Sequence, residues 1–168
     1  MTVRAVQMAK HILRRGQFAA PIDVEAVARS LNIQVVEQDL EDDVSGVLVV
    51  KDETAIIGVN QAHHINRKRF TIAHELGHYM LHRNASKVFI DSMPVFFRDS
   101  TSGQGVERQE VEANAFAAEL LMPEQMIYQE LKGRKIDVYD EQSINGIAEQ
   151  FGVSTQALTI RLTKLGLI

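Results

Sequence analysis

Residues 74–78 read His-Glu-Leu-Gly-His, and this pentapeptide constrains the chain more than any other stretch of its 168 residues. On a helix, His74 and His78 stand on one face with a rise of roughly 6 Å between them, so both imidazoles can turn a nitrogen toward one point. Glu75 lies about 100° further round, beside that point and not on it. Two imidazoles with a shared target and a carboxylate at its flank make the HExxH arrangement of a zinc site, in which the carboxylate acts as general base on an activated water. The five letters also arise by chance on solvated helices, so the flanking sequence has to decide.

Residues 67–83 carry helical periodicity, with Phe70, Ala73, Leu76, Gly77, Met80 and Leu81 as an apolar stripe for core packing. The histidines then belong to a buried helix, where an imidazole without a partner is costly and a metal is the simplest partner. Gly77, a weak helix former, leaves space for a strand or a substrate to come close. A catalytic zinc takes a third protein ligand and keeps its fourth position for water. His82 lies about 12 Å in rise from His74, which suits a supporting or surface position better than ligation.

The better donor lies in residues 106–122, a run of strong helix formers that ends at Pro123 and packs through Ala113, Phe116, Ala117, Leu120 and Leu121. Glu110 borders that packing face and can reach the metal from a second helix. Asn114, one turn on, can hydrogen-bond a ligating histidine and fix its tautomer. Glu112 is the rival donor, directed about 160° away from Asn114. Glu107 and Glu119 are weaker ones.

The two segments RFTIAHELGHYMLH and EVEANAFAAELLMP together resemble the ImmA/IrrE family of zinc metallopeptidases. The likeness rests on Arg69, Phe70 and His82 around the motif and on Glu110, Ala113, Asn114, Phe116, Ala117, Leu121 and Pro123 downstream. It extends to the closing Arg161-Leu162 and Leu165-Gly166-Leu167. It implies an α+β, zincin-like fold of gluzincin type, with a small twisted β-sheet packed on the active-site helix and helical N- and C-terminal parts. It further implies one Zn²⁺ on His74, His78 and Glu110, with Glu75 as the general base of an endopeptidase. The Glu110-to-Asn114 spacing is similar to that of the Glu and downstream Asp of thermolysin-like enzymes, which supports Glu110 over Glu112. The implied substrate is a protein, often a helix-turn-helix transcriptional repressor whose cleavage releases stress or mobile-element genes.

Composition agrees with a modest soluble enzyme. There is no cysteine, hence no disulfide framework and no thiolate metal site, which fits the cytoplasm. The net charge of −4, with both signs dispersed, argues against a general nucleic-acid surface. No apolar run approaches the roughly 20 residues that would cross a bilayer. The expected organisation is a zincin-like domain over 1–132 and a C-terminal helical, helix-turn-helix-like subdomain over 133–168. Residues 1–16 suit an amphipathic helix, and 23–31 a short helix opened by Asp23. Residues 33–36, 46–50 and 55–59 suit strands, the last two forming a hairpin, and an exposed edge strand can hold an extended peptide.

Residues 84–105 link the two ligand helices and contain the apolar patches Val88-Phe89-Ile90 and Val95-Phe96-Phe97, which suit either a cleft or lid over the metal or plain strand and core. Residues 143–167 have the cadence of a helix-turn-helix with Ser154 as a cap. Only Arg161 and Lys164 are basic there, so helical packing is expected ahead of DNA binding. Two other readings stand beside the peptidase: a non-proteolytic, metal-binding regulator that acts by protein–protein contact, and a DNA-binding regulator using the C-terminal helices. His63, His64, Arg69 and Tyr79 are oxyanion donors by residue type alone.

Overall fold

The computed structural model describes residues 2–52, 54–91, 104–132, 136–137 and 139–168. Helix α1, Val3–Arg15, buries Ala5, Ala9 and Ile12, a stripe at helical spacing, and packs against α4 (Gln104–Leu121). Helix α2, Val24–Ser30, is opened by Asp23, whose carboxylate accepts from the Ala26 amide at 2.8 Å. Strands β1 (Ile33–Gln38), β2 (Gly46–Lys51), β3 (Thr54–Asn60) and β4 (Val88–Asp91) form a mixed sheet in the order β1-β3-β2-β4. β1 runs parallel to β3, and β2 lies antiparallel to both β3 and β4. The expected hairpin is β2–β3. The three expected strands run one or two residues longer than their apolar cores, because ladder pairing continues past the apolar residues onto polar ones such as Gln38, Lys51 and Asn60.

The strand period of two sorts the sheet into unlike faces. Val35, Ile57, Leu48 and Phe89 stand in one row across the four strands, on the face turned to helix α3 (Ile65–His82). Val49, Ile56, Val88 and Ile90 stand on the opposite face and are exposed. The first apolar patch of the 84–105 linker is therefore the edge strand β4. The second, Val95-Phe96-Phe97, lies outside the described residues.

Helix α3 is buried continuously from Thr71 to Tyr79, although its sequence carries only one apolar stripe. The reason is two-sided packing, with β2 and β3 on one flank and α4 on the other. Phe70, Met80 and Leu81, expected in the core, are only half-buried, while Thr71, His74, Glu75 and His78 are fully enclosed. Gly77 admits α4 and neither a strand nor a substrate: a Cβ there would lie 3.0 Å from the Ala113 Cα, 3.1 Å from the Ala113 oxygen and 3.3 Å from the Phe116 Cβ.

Helices α5 (Glu124–Leu131), α6 (Glu141–Phe151) and α7 (Thr155–Leu165) complete the described chain. Ser154 caps α7, its hydroxyl accepting from the Ala157 amide at 3.1 Å. Ile144, Ala148, Phe151, Leu158 and Leu162 join the same core cluster as the sheet and α3. Polar clasps add to this: Arg69 donates to the Gly152 carbonyl at 3.0 Å, and Asn66 donates to that of Val153 at 3.1 Å. Arg161, one of the two cations a DNA surface would need, is buried, pairs with the Glu119 carboxylate and donates to the Met122 carbonyl.

Replacing Gly77 by alanine gains about 1 kcal/mol of helix propensity. It also forces a methyl group against the backbone of α4, an overpacking cost of about 1–3 kcal/mol. We expect a net loss of stability of about 1 kcal/mol, seen as a lower urea midpoint with an unchanged slope. An unchanged or higher midpoint would show that the two helices do not depend on this contact.

Candidate metal centre

The shared register of β2, β4 and α3 builds the centre. Phe89 and Asp91 are two residues apart on β4 and face α3, with Gly46 directly opposite Asp91 in the ladder. The Phe89 ring stacks on His78 at a centroid distance of 4.7 Å. On the other flank of α3, the α4 backbone held at Gly77 brings Glu110, Glu112 and Asn114 up to the histidine row.

His74, His78 and Glu110 converge as expected. The two Nε2 atoms are 3.0 Å apart, and the Glu110 carboxylate places Oε2 at 3.2 Å from His74 Nε2 and Oε1 at 3.3 Å from His78 Nε2. Bonds of about 2.0–2.1 Å to a tetrahedral zinc would set such ligand atoms roughly 3.3 Å apart. The triangle thus has the dimensions of one face of a metal tetrahedron. Among the described residues these three form a donor group able to hold a metal ion. Asn114 takes the orienting position, its Oδ1 lying 2.9 Å from His74 Nδ1. The amide oxygen accepts, so Nδ1 carries the hydrogen and the neutral ring turns its Nε2 lone pair into the triangle.

Glu75 stands beside this triangle with both carboxylate oxygens buried and without a hydrogen-bond partner. It is shut in by the sheet, since a Cβ on Gly46 would lie 2.4 Å from the Thr71 Cγ2 and 3.6 Å from Glu75 Oε1. Burial pushes its pKa up to about 8; His74 opposes this, and the Asp91 and Glu110 carboxylates reinforce it.

The electrostatics of the three side chains suit a cation. Burial works against a charge on His74, but the hydrogen bond to Glu110 and the fields of Glu75, Asp91 and Glu110 outweigh it and raise the pKa to about 9. Burial works to raise the pKa of Glu110, yet its hydrogen bonds with His74 and His78 hold it well below the usual carboxylate range. His78 is lowered, chiefly by burial. A proton on His74 thus does part of what a divalent ion would do among these carboxylates.

Glu112, the rival donor, does not join the triangle. Its Oε2 lies 3.0 Å from His82 Nε2 and its Oε1 is 3.1 Å from Arg108 Nε. His82 is buried, with Nδ1 3.2 Å from His78 Nδ1, a supporting position and not a surface one. Two of the oxyanion donors chosen by type are engaged elsewhere: the His64 Nδ1 caps α3 and Arg69 holds Gly152, while the Tyr79 ring lies under the Arg83 guanidinium at 4.8 Å. Phe89, Asp91, Arg108 and the close approach at Gly46 were not legible as parts of a site. For Phe89 and Asp91 the alternation of β4 was the only signal, and it appears once that segment is known to pair with β2.

Zinc entering this site must displace the His74 proton and also favours loss of the Glu75 proton, so its apparent affinity should rise by at least about tenfold per pH unit between roughly pH 6 and 8. Calorimetric titration at three pH values checks this. A flat affinity would contradict the protonated metal-free state.

Comparison with known proteins agrees with this architecture. A Mycobacterium tuberculosis transcriptional regulator of known structure superposes with a TM-score of 0.65 at 21% sequence identity, over 96% of this chain and 47% of that one. The chain thus spans about half the length of that regulator, and the likeness is one of fold. Immunity region protein 2 of Bacillus phage phi105 is 30% identical over 121 residues, covering 72% of this chain and 71% of the phage protein. The profile of a peptidase family described as the IrrE N-terminal-like domain matches residues 28–163, a span that includes the whole histidine and glutamate centre. By that match, the chain belongs to the IrrE N-terminal-like peptidase family.

Proposed function

We propose that the chain is a zinc-dependent endopeptidase that cuts a protein substrate, a helix-turn-helix transcriptional repressor in the first instance. The observation that carries the reading is Glu75. A carboxylate with two unpartnered oxygens, enclosed beside a His-His-Glu triangle, is costly unless it has work to do there. Family membership supports peptidase chemistry, and the phage immunity-region relative supports a regulatory target. Such a target implies a cytoplasmic setting, and no helix among the described residues is long and apolar enough to cross a membrane.

His74, His78 and Glu110 would hold the ion, leaving the side toward Glu75 for water and substrate. Bound zinc supplies a Lewis acid that polarises a carbonyl and brings the pKa of water to about 7. Glu75 accepts the proton of the attacking water and returns it to the departing amide nitrogen, so the carboxylate ends each cycle as it began. A nearby cation lowers its proton affinity from the value set by burial, which suits it to act as a base near neutral pH. Asn114 holds His74 in the ligating tautomer. Asp91 adds negative charge to the same pocket, strengthening cation retention.

The test is incubation with the repressor encoded nearest to this gene, with and without chelator. Wild-type protein should cleave it in the presence of zinc. Glu75→Gln should bind zinc but cleave at least about 100-fold more slowly, as loss of a general base requires. A partner left intact by zinc-loaded wild-type protein, or cleaved equally well by Glu75→Gln, would argue for a regulator acting by contact alone.

A further inference from the structure

Three side chains outside the metal triangle form one continuous polar line that ends on it at His78. Arg108 Nε lies 3.1 Å from Glu112 Oε1; Glu112 Oε2 lies 3.0 Å from His82 Nε2; His82 Nδ1 lies 3.2 Å from His78 Nδ1; and His78 Nε2 faces Glu110 and His74. His78 and His82 are 2% and 7% exposed, and Glu112 is 7% exposed, so the inner part of the line is shielded from water.

When His78 ligates through Nε2, each link has one consistent assignment of hydrogens. A carboxylate only accepts, so the His82 nitrogen facing Glu112 is the one that carries hydrogen. In neutral His82 the other nitrogen, Nδ1, is then an acceptor. It faces His78 Nδ1, which must therefore donate. His78 is left with a bare Nε2, and that is the atom turned to the triangle.

We propose that His82 and Glu112 are positioning residues that fix the tautomer of the second metal ligand, with Arg108 anchoring the carboxylate. The inference rests on the reading of His74, His78 and Glu110 as metal ligands. It gives the two histidines different orienters. His74 is set by an amide acting directly, whereas His78 is set by a carboxylate acting through an intervening imidazole. Glu112 is therefore no spare ligand. It is the acceptor that makes His82 an acceptor in turn.

Zinc is the probe, used with the full chain. Long-range proton–nitrogen spectra of the zinc-loaded protein at about pH 8.5, above the ordinary imidazole range, should show hydrogen on Nε2 of His82 and on Nδ1 of His78. His82→Leu and Glu112→Leu should weaken zinc binding by about 10–100-fold, the usual effect of losing a ligand's orienting partner. His82→Asn, whose amide oxygen can occupy the place of Nδ1, should recover most of that loss.

Hydrogen on Nδ1 of His82 in the wild-type protein would overturn the relay without any variant having to fold. So would equal zinc affinity in wild type and His82→Leu, or equal loss in His82→Leu and His82→Asn, which would make His82 a packing residue only. Wild-type protein that binds no zinc would remove the ligand reading and the relay together. Zinc binding with the wrong tautomers would remove the relay alone.

Discussion

The closeness of α3 to α4 is the constraint on which the rest of the molecule depends. At Gly77 the two backbones meet with no side chain between them, and four polar contacts of the centre cross that seam: His74 to Asn114, both ligand nitrogens to Glu110, and His82 to Glu112. Moving the helices apart by one methyl group would lengthen all of these together. The surrounding core, from Ala113 and Phe116 on α4 to Leu48 and Ile57 on the sheet, holds the seam shut from both sides.

This arrangement buries a density of ionisable groups that an apolar core would not tolerate unaided. His74, Glu75 and His78 lie within a single turn and a half of α3, and each is at most 2% exposed. Hydrogen bonds and neighbouring charges satisfy most of their polar atoms, and the residue left over is Glu75. A buried group left without a partner calls for an explanation, and for Glu75 the proposed partner is a reactant.

Much of the centre was legible in the sequence because helix geometry is rigid enough to compute from spacing. The i, i+4 relation of His74 and His78 and the position of Glu110 relative to Asn114 both carried through to three dimensions. Helices α3 and α4, each displaced by one or two residues at both ends from the expected 67–83 and 106–122, the caps at Asp23 and Ser154, and the β2–β3 hairpin were also readable, since each is written in local residue chemistry. What escaped was long-range. Nothing local announces that Phe89 stacks on His78, that Asp91 sits across from Gly46, or that Glu112 pairs with His82, because those contacts follow from which strand pairs with which and which helix lies against which. The amphipathic rule also failed for α3. One apolar stripe suggested burial on one side, whereas packing on two flanks enclosed nine residues in a row.

Gly46 carries a consequence for how such a chain can diverge. A side chain there would collide with the Thr71 methyl at 2.4 Å, within reach of Glu75. A Cβ at 46 would also lie 3.1 Å from the Gly58 carbonyl oxygen, so a smaller residue at 71 relieves one of the two contacts and not the other. The wall behind the carboxylate is thus tied to two neighbours at once, one of them backbone that no substitution removes.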